Sequence, residues 1–327
     1  MERILKDSRV LVTGGAGFIG SNLVDSFLQS GNRVVCIDNF STGKRKNLET
    51  FFDNPKFRLI EGDIRNYNDC LKAVENIDIV FHQAALGSVP RSIKDPVTST
   101  DVNIGGYVKM LFASKESGVK RFIYAASSST YGDHPDLPKV EDKIGSPLSP
   151  YAITKYVDEL FATNFAKTYG IDVVGLRYFN VFGRRQDPDG AYAAVIPKFM
   201  KTLMKHEVPL INGDGSVSRD FTYIDNVVQA NHLASVVQNK EALNQVYNVA
   251  HGERTSLNQL FTFIRALAAE FDSSILKIEP LYGPAREGDI PHSLASIEKA
   301  KKLIYYSPTF NVEQGLKEAV KWYWKNL

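Results

Sequence analysis

Short apolar segments alternate with amphipathic ones through the first half of the 327-residue chain. The apolar segments are rich in β-branched residues, which is typical of buried strands. Apolar strands separated by helices indicate a parallel sheet that is covered by helices on both faces. The predicted strands are 9–14, 33–38, 57–63, 77–82, 121–127 and 172–178, and the clearest predicted helices are 18–29, 97–117 and 150–169.

The pattern changes after residue 183. A loop rich in glycine and charge is followed by short predicted strands mixed with helices, which we interpret as a smaller α/β portion beside the sheet. We therefore predict a first domain at 1–179 and a second at 180–327, and later segments are free to return to the first. The later strands are predicted at 208–212 and 246–250, and the later helices near 195–206, 224–238, 256–270 and 312–325.

A glycine-rich turn follows the first predicted strand in VLVTGGAGFIG. Gly14 permits a tight turn, Gly17 lets backbone approach a pyrophosphate, and Gly20 allows close helix–strand packing. Asp38 ends the next strand, where a carboxylate can accept hydrogen bonds from an adenosine ribose. This combination predicts a dinucleotide site, and we prefer NAD because Asp38 would repel a 2′-phosphate.

Lys44 and Arg45 lie near this site and keep NADP open as an alternative. The segment GDI at 62–64 is expected to reach the adenine, and HQAA at 82–85 is expected to set small residues against the cofactor. The further cofactor contacts that we predict are Phe18, Ile19, Asn39, Ser41, Thr42, Gly43, Asp63, Ile64 and Gln83.

The segment SPYAITK places Tyr151 and Lys155 on one face of a helix, because residues four apart are neighbours. Ser149 and Pro150 are typical of an N-cap and a first helical position. A phenol is a poor base at neutral pH, but a nearby ammonium and a helix N-terminus favour the phenolate. The serines of AASSSTYGD follow an adjacent strand, and one hydroxyl there can relay a proton between substrate and Tyr151.

Three polar residues outside these motifs bear on the site. Asn103 is expected either to bond the backbone of the helix that carries Tyr151 or to be a buried structural residue. His82 and His134 have no Cys or carboxylate cluster at ligand spacing, so we predict no metal.

Composition narrows the class of protein. The chain has 39 basic and 37 acidic residues, a balance that argues against a nucleic-acid or membrane surface. Its two cysteines, Cys36 and Cys70, do not form a disulfide framework, which favours a reducing compartment. The segment MERILKDSR lacks the apolar region of a signal peptide, and no apolar run is long enough to span a membrane. We expect a cytoplasmic protein.

With these residues described, the chain resembles the extended short-chain dehydrogenase/reductase family over essentially its whole length. The motifs that carry the resemblance are TGGAGFIG, DVN, SSSTYGD, SPYAITK and RYFNVFG. Within that family it is most similar to the nucleotide-sugar 4-epimerases of the bacterial UDP-N-acetylglucosamine type. The resemblance implies a Rossmann-type doubly wound sheet, an α/β fold, with a smaller substrate-binding domain.

The resemblance also implies a reaction and its residues. Tyr151 removes the proton of the sugar 4-OH while hydride passes to a bound, non-exchanging NAD. Lys155 holds the cofactor ribose, and Ser127 or, second, Ser128 is the catalytic hydroxyl. The 4-keto sugar then turns and takes the hydride back on its other face.

By the same resemblance, the substrate is UDP-GlcNAc or UDP-GalNAc, whose natural use is in cell-surface polysaccharide. A small residue at Ser293 leaves room for the acetamido group. The family also often dimerises through a four-helix bundle, for which 97–117 and 150–169 are long enough. The other substrate residues that the resemblance implies are Ser88 and Arg91 near the sugar, Asn180, Arg219 and Arg286 at the phosphates, and Asp289 at the uridine ribose.

Other activities stay open to different degrees. A 4,6-dehydratase needs an acid and a carboxylate beside its catalytic threonine, where this chain has Ser128 and Ser129. Hydroxyls cannot supply that acid–base pair, so dehydration is disfavoured. A UDP-glucose/UDP-galactose 4-epimerase, or a UDP-glucuronate 4-epimerase or decarboxylase, remains an alternative, the last two because Arg91 would suit a carboxylate. A non-catalytic NAD sensor is disfavoured because the Tyr–Lys pair is retained.

Overall fold

A seven-stranded parallel sheet forms the centre of the computed structural model, which describes residues 3–189, 194–285 and 292–327. Along the sheet the strands follow the order β3-β2-β1-β4-β5-β6-β11. Within these described ranges, three two-stranded ribbons lie outside the sheet, pairing β7 with β10, β9 with β12, and β8 with β13. The strands are β1 Arg9–Thr13, β2 Arg33–Asp38, β3 Phe57–Glu61, β4 Ile79–His82, β5 Arg121–Ser127, β6 Asp172–Tyr178, β7 Val181–Phe182, β8 Leu210–Asn212, β9 Ser218–Arg219, β10 Thr222–Tyr223, β11 Gln245–Val249, β12 Thr255–Ser256 and β13 Leu281–Gly283.

Helices cover both faces of this sheet. The apolar core is therefore divided into two buried clusters, one on each face. Alternate residues of β1 show this, since Val10 and Val12 belong to one cluster and Leu11 belongs to the other. Among the described residues no helix is long and apolar enough to cross a membrane. The helices are α1 Phe18–Gln29, α2 Tyr67–Val74, α3 Val89–Lys94, α4 Pro96–Thr100, α5 Tyr107–Glu116, α6 Pro150–Tyr169, α7 Val195–Met204, α8 Ile224–Val236, α9 Leu257–Ala269, α10 Glu298–Ile304 and α11 Val312–Asn326.

The predicted helix at 97–117 is three consecutive segments. A π-helical stretch, Asp101–Gly106, joins α4 to α5. This widened turn contains two adjacent glycines, Gly105 and Gly106, and a side chain at Gly106 would lie 2.6 Å from Ile64. Close packing against the neighbouring strand connection therefore accompanies the departure from a regular helix.

The order of the strands places a crevice at the carboxyl ends of β1 and β4. The chain moves outward from β1 to β2 and β3, and then crosses back to β4 on the other side of β1. Thr13, the last residue of β1, is in register with Ile37 on β2 and with His82 on β4. Parallel sheets bind ligands where the strand order reverses in this way.

One segment predicted for the smaller portion belongs to the sheet. Residues 246–250 were expected beside the sheet, but β11 is the edge strand next to β6, with Tyr247 in register with Leu176. This segment is thus a return to the first unit, which the prediction had allowed. The division at residues 179 and 180 stays a prediction.

A buried ion pair fixes α6 to the sheet. Arg177 of β6 donates to both carboxylate oxygens of Glu159 on α6, at 2.9 and 2.7 Å. It also donates to the carbonyl of Glu141 at 3.0 Å, and its guanidinium lies 4.8 Å from the ring centroid of Tyr131. Arg177 and Glu159 are 3% and 6% exposed, so neither charge can turn to water if its partner is removed.

We expect Arg177→Met to lower the free energy of unfolding by about 3–5 kcal/mol, because Glu159 would be left buried and unpaired. Chemical denaturation measures this loss. The matched control is Lys321→Met, which breaks an exposed pair with Glu318 and should cost less than about 1 kcal/mol. Equal, small losses in both variants would contradict the structural role of the buried pair.

Candidate active site

The glycine turn leaves the N-terminus of α1 open to an anion. Gly14 has a φ of +65°, and a side chain there would lie 2.8 Å from the backbone of Ala84. A side chain at Gly20 would lie 2.2 Å from the carbonyl oxygen of Gly14. The N-cap residue, Gly17, has no side chain with which to cap the helix, and the first turn of α1 lines the crevice, so its N–H groups and its dipole can serve an anion there.

Asp38 lies beside this turn at the end of β2. Its carboxylate accepts from the N–H of Ala16 at 2.9 Å and from that of Phe40 at 2.8 Å. Burial raises the pKa of Asp38, and these two amides oppose the shift. Asp63 lies nearby on the next connection, where its hydrogen bonds with Arg65 lower its pKa to about 2. Two carboxylates therefore line the adenosine side.

The two cations that had kept NADP open already face carboxylates. The Lys44 ammonium is 2.7 Å from Asp187, and Arg45 pairs with Glu61. Neither needs a 2′-phosphate as its partner, which agrees with the preference for NAD.

A cavity of about 870 Å³ runs from this turn to the serine loop. The amide of Gln83 is buried there beside the hydroxyl of Tyr178 and makes no well-formed hydrogen bond in the described structure, so it retains capacity for a ligand. The cavity thus fits a dinucleotide in the donors and acceptors that line it. Every predicted cofactor residue lines it: Gly14, Gly17, Phe18, Ile19, Gly20, Asp38, Asn39, Ser41, Thr42, Gly43, Asp63, Ile64, Gln83, Tyr151 and Lys155.

The helix α6 delivers Tyr151 and Lys155 to the far end of this cavity. The hydroxyl of Ser149 accepts from the N–H of Ala152 at 3.1 Å and Pro150 is the first helical residue, so the predicted helix start is confirmed. The N–H of Tyr151, which has no partner within the helix, donates to Ser92 at 3.0 Å. The first turn is therefore held from outside as well as by its cap.

Lys155 is almost fully buried and has two oxygen partners. Its ammonium donates to the carbonyl of Ala125 at 2.9 Å and lies 3.4 Å from Asp158. Burial raises the pKa of Asp158 to about 7, although the charge of Lys155 opposes that shift. Desolvation and then the same Lys155 charge lower the pKa of His82 to about 3, so this histidine is neutral.

The serine loop begins at the last residue of β5. Ser127 Oγ accepts from the N–H of Ser129 at 3.1 Å and from its hydroxyl at 2.9 Å. With its lone pairs engaged in this way, the Ser127 hydroxyl can donate its own proton into the cavity. Ser127 and Ser128 both line the cavity.

Asn103 forms a hydrogen bond with a side chain of α6 and not with the backbone of that helix. Its amide donates to the hydroxyl of Thr154 at 3.1 Å, and that hydroxyl donates to the carbonyl of Tyr151 at 2.8 Å. Its carbonyl oxygen accepts from the N–H of Leu86 at 2.8 Å. The expected backbone bond is therefore replaced by this relay, because Thr154 lies between the two.

A second cavity of about 250 Å³ adjoins the first, and Asn180 lines both. Asn180 has a φ of +35°, and its amide donates to the carbonyl of Asp220 at 3.0 Å. Arg219 lines the second cavity and donates to the carbonyl of Ser218 at 3.0 Å. Arg286 and Asp289 lie outside the described residues.

The three residues predicted around the sugar are not all brought together. Arg91 lines the large cavity, whereas Ser88 caps α3 by accepting from the N–H of Arg91. Ser293 is not among the residues that line either cavity; its N–H donates to Ser218 at 3.1 Å, beside Arg219. The sequence also missed Arg185 and Asp187, which line the large cavity but carry no motif. Among the described residues, no cluster of three metal-ligating side chains occurs.

Comparison with known proteins identifies the family to which the chain belongs. The profile described as "NAD dependent epimerase/dehydratase family" matches residues 10–250. The solved UDP-N-acetylglucosamine 4-epimerase of Methanobrevibacter ruminantium M1, in complex with UDP-N-acetylmuramic acid, is 40% identical with a TM-score of 0.91, over 99% of this chain and 100% of that one.

Two curated relatives act on other sugars. The UDP-glucose 4-epimerase of Mycolicibacterium smegmatis is 34% identical over 96% of this chain and 98% of its own length. The UDP-glucuronate 4-epimerase of Thermodesulfobacterium geofontis is 34% identical over 97% of this chain and 96% of its own. The predicted fold, family and NAD dependence are thereby confirmed, and the chain belongs to the NAD-dependent epimerase/dehydratase family, in which these relatives are UDP-sugar 4-epimerases.

Proposed function

We propose that this enzyme is a UDP-N-acetylglucosamine 4-epimerase, which interconverts UDP-GlcNAc and UDP-GalNAc. The observation that carries the proposal is that the two cavities adjoin, with Asn180 in the lining of both. One end holds a dinucleotide cradle, the middle presents Tyr151 and Ser127, and Asn180 opens the way to a pocket lined by Arg219. The 40% identical relative supports the acetamido sugar.

In this proposal Tyr151 removes the proton of the sugar 4-OH, and Ser127 orients that hydroxyl and relays the proton. Ser128 is the second candidate for this hydroxyl, since it lines the same wall. Lys155 supplies a fixed positive charge, which stabilises the phenolate, and a donor for the cofactor ribose. Bound NAD supplies the chemistry of accepting and returning a hydride at the sugar C4.

Epimerisation needs a firm hold on the nucleotide and a loose hold on the sugar, because the keto sugar must present both faces. Arg219 and Asn180 are placed to hold the diphosphate, and a guanidinium suits phosphate oxygens. Arg286 and Asp289 are proposed to complete this hold, at the diphosphate and at the uridine ribose. Ser88 is proposed to act near the sugar through Arg91, whose helix it caps.

Arg91 favours a second candidate, an acidic sugar such as UDP-glucuronate. It is half-buried and lines the large cavity, and in the described structure no hydrogen bond or ion pair engages its guanidinium. A carboxylate is the natural partner of such a group. One relative, the UDP-glucuronate 4-epimerase of T. geofontis, is compatible with this reading.

A homodimer is part of the proposal, because α6 and the helices beside it expose an apolar surface. Ile153 and Leu160, two helical turns apart on the same side of α6, are 49% and 52% exposed. Ile93 and Val97 on α3 and α4, which pack against α6, are 63% and 78% exposed. Pairing this surface with a second copy would build a four-helix bundle.

A cytoplasmic location is likewise proposed. Cys36 and Cys70 are both buried and unpaired, and burial raises the pKa of the Cys70 thiol to about 12. A protein with such thiols suits a reducing compartment. The UDP-GalNAc formed there would supply cell-surface polysaccharide synthesis.

The purified enzyme, with its own NAD and none added, should convert UDP-GlcNAc to a mixture with UDP-GalNAc, followed by proton NMR of the anomeric region. Tyr151→Phe should lower the rate at least about 100-fold while NAD stays bound, because the general base is lost. The control is Tyr156→Phe on the same helix, which should retain activity.

Three results would count against this account. Turnover of UDP-glucuronate with UDP-GlcNAc inert would favour the second candidate. Turnover of UDP-glucose alone would remove the acetamido assignment. An active Tyr151→Phe variant would remove Tyr151 from the chemistry.

Ser293→Tyr should reduce turnover of UDP-GlcNAc at least tenfold more than that of UDP-glucose, since the larger side chain takes the space of the acetamido group. The ratio of kcat/KM for the two substrates measures this. Ser293→Ala is the control and should keep the ratio. An unchanged ratio in the tyrosine variant would refute the role of Ser293, which lies beside Ser218 and Arg219.

Leu160→Asp should convert the dimer to a monomer, because it places a charge in the proposed apolar interface. Sedimentation velocity gives the mass in solution. The control is Leu276→Asp, at a similarly exposed leucine (54%) on another surface. A wild-type monomer, or a dimer that survives Leu160→Asp, would disprove the interface.

A further inference from the structure

Two loops meet over the N-terminus of α1. We call residues 41–47 the adenosine-side loop and residues 183–187 the crossing loop. The Lys44 ammonium of the first lies 2.7 Å from the Asp187 carboxylate of the second. Both residues line the large cavity, and both side chains are only partly exposed, at 38% and 34%.

The adenosine-side loop is held on the glycine turn. The N–H of Lys44 donates to the carbonyl of Ala16 at 3.0 Å, and the amide of Asn47 donates to the same carbonyl at 2.9 Å. A side chain at Gly43 would lie 2.8 Å from Ala16 Cβ. The missing side chain at Gly43 therefore permits this close approach.

The crossing loop is held on α1. Arg185 donates to the carbonyl of Ser21 at 3.1 Å and to the carboxylate of Asp25 at 2.9 Å. The amide of Asn22 donates to the carbonyl of Arg184 at 3.1 Å. These bonds anchor the loop along the first two turns of the helix, next to the anion-binding end.

Both loops are thus held on the glycine turn and on α1, and the side chains of Lys44 and Asp187 meet between them. Four segments surround the place where the pyrophosphate would bind, and we call this ring of segments the circuit. Its members are the glycine turn, the adenosine-side loop, the crossing loop and α1. The Lys44–Asp187 ion pair joins the two loops and completes this circuit. The NAD of such an enzyme must stay in place between taking a hydride and returning it.

We propose that the Lys44–Asp187 ion pair is a latch that closes this circuit over bound NAD and slows its release. The proposal concerns cofactor retention and holds whichever sugar the enzyme uses. The latch requires opposite charges at residues 44 and 187 that form an ion pair. It does not require the positive charge to be at residue 44 and the negative charge at residue 187.

The test measures how fast NAD leaves the holoenzyme. Holoenzyme is diluted into alcohol dehydrogenase with excess ethanol, which reduces NAD as it is released, and absorbance at the NADH band is followed. Lys44→Met and Asp187→Asn should each accelerate release about fivefold, the scale of one partly exposed ion pair. The exchanged pair, Lys44→Asp with Asp187→Lys, should restore release to within about twofold of the wild type.

A matched surface pair provides the control. Lys301→Met breaks an exposed pair with Glu298 on α10 and should leave the release rate unchanged. Faster release in Lys44→Met that is neither shared by Asp187→Asn nor reversed by the exchange would overturn the latch, since Lys44 would then act alone on the cofactor. Wild-type release rates in both single variants would also overturn it.

Discussion

The buried contact between Arg177 and Glu159 sets the position of α6, and the geometry of the active site depends on that position. The guanidinium holds both carboxylate oxygens away from water, so the helix cannot slide along β6 without separating two buried charges. The same guanidinium lies over the ring of Tyr131, which closes the serine loop. One residue therefore relates the helix that carries Tyr151 to the loop that carries Ser127.

The site divides its polar groups according to what each must hold. At the cofactor end, backbone N–H groups and buried side chains predominate, and fixed groups of this kind suit a ligand that stays bound. Around the serine loop the groups are hydroxyls on short side chains, which can each donate or accept and so suit a ligand that must reorient. Asn180 lies between these regions in a strained backbone conformation, and it lines both cavities together with Val181.

Local physics made much of this site predictable from the sequence. The glycine turn, the cap at Ser149 and the strands of the first half depend on neighbours in the chain, and all lie as expected. Contacts between distant segments were not predictable. A strand such as β11 has the same pattern whether it pairs with β6 or with a small ribbon, and nothing near Lys44 in sequence indicates Asp187 as its partner. Ser293 is a different case, since its place near the acetamido group comes from resemblance and stays a prediction; the structure gives its N–H bond to Ser218, beside Arg219.

The central claim is that one retained NAD takes a hydride from C4 of the sugar and returns it to the same carbon. A hydride kept on a held cofactor does not mix with water, whereas a proton passed through Tyr151 and Ser127 does. The direct measurement uses UDP-GlcNAc that carries deuterium at C4, incubated with the holoenzyme in ordinary water and followed by NMR and mass spectrometry. The account predicts that the UDP-GalNAc formed keeps its deuterium at C4; loss of that deuterium to solvent during conversion would contradict it.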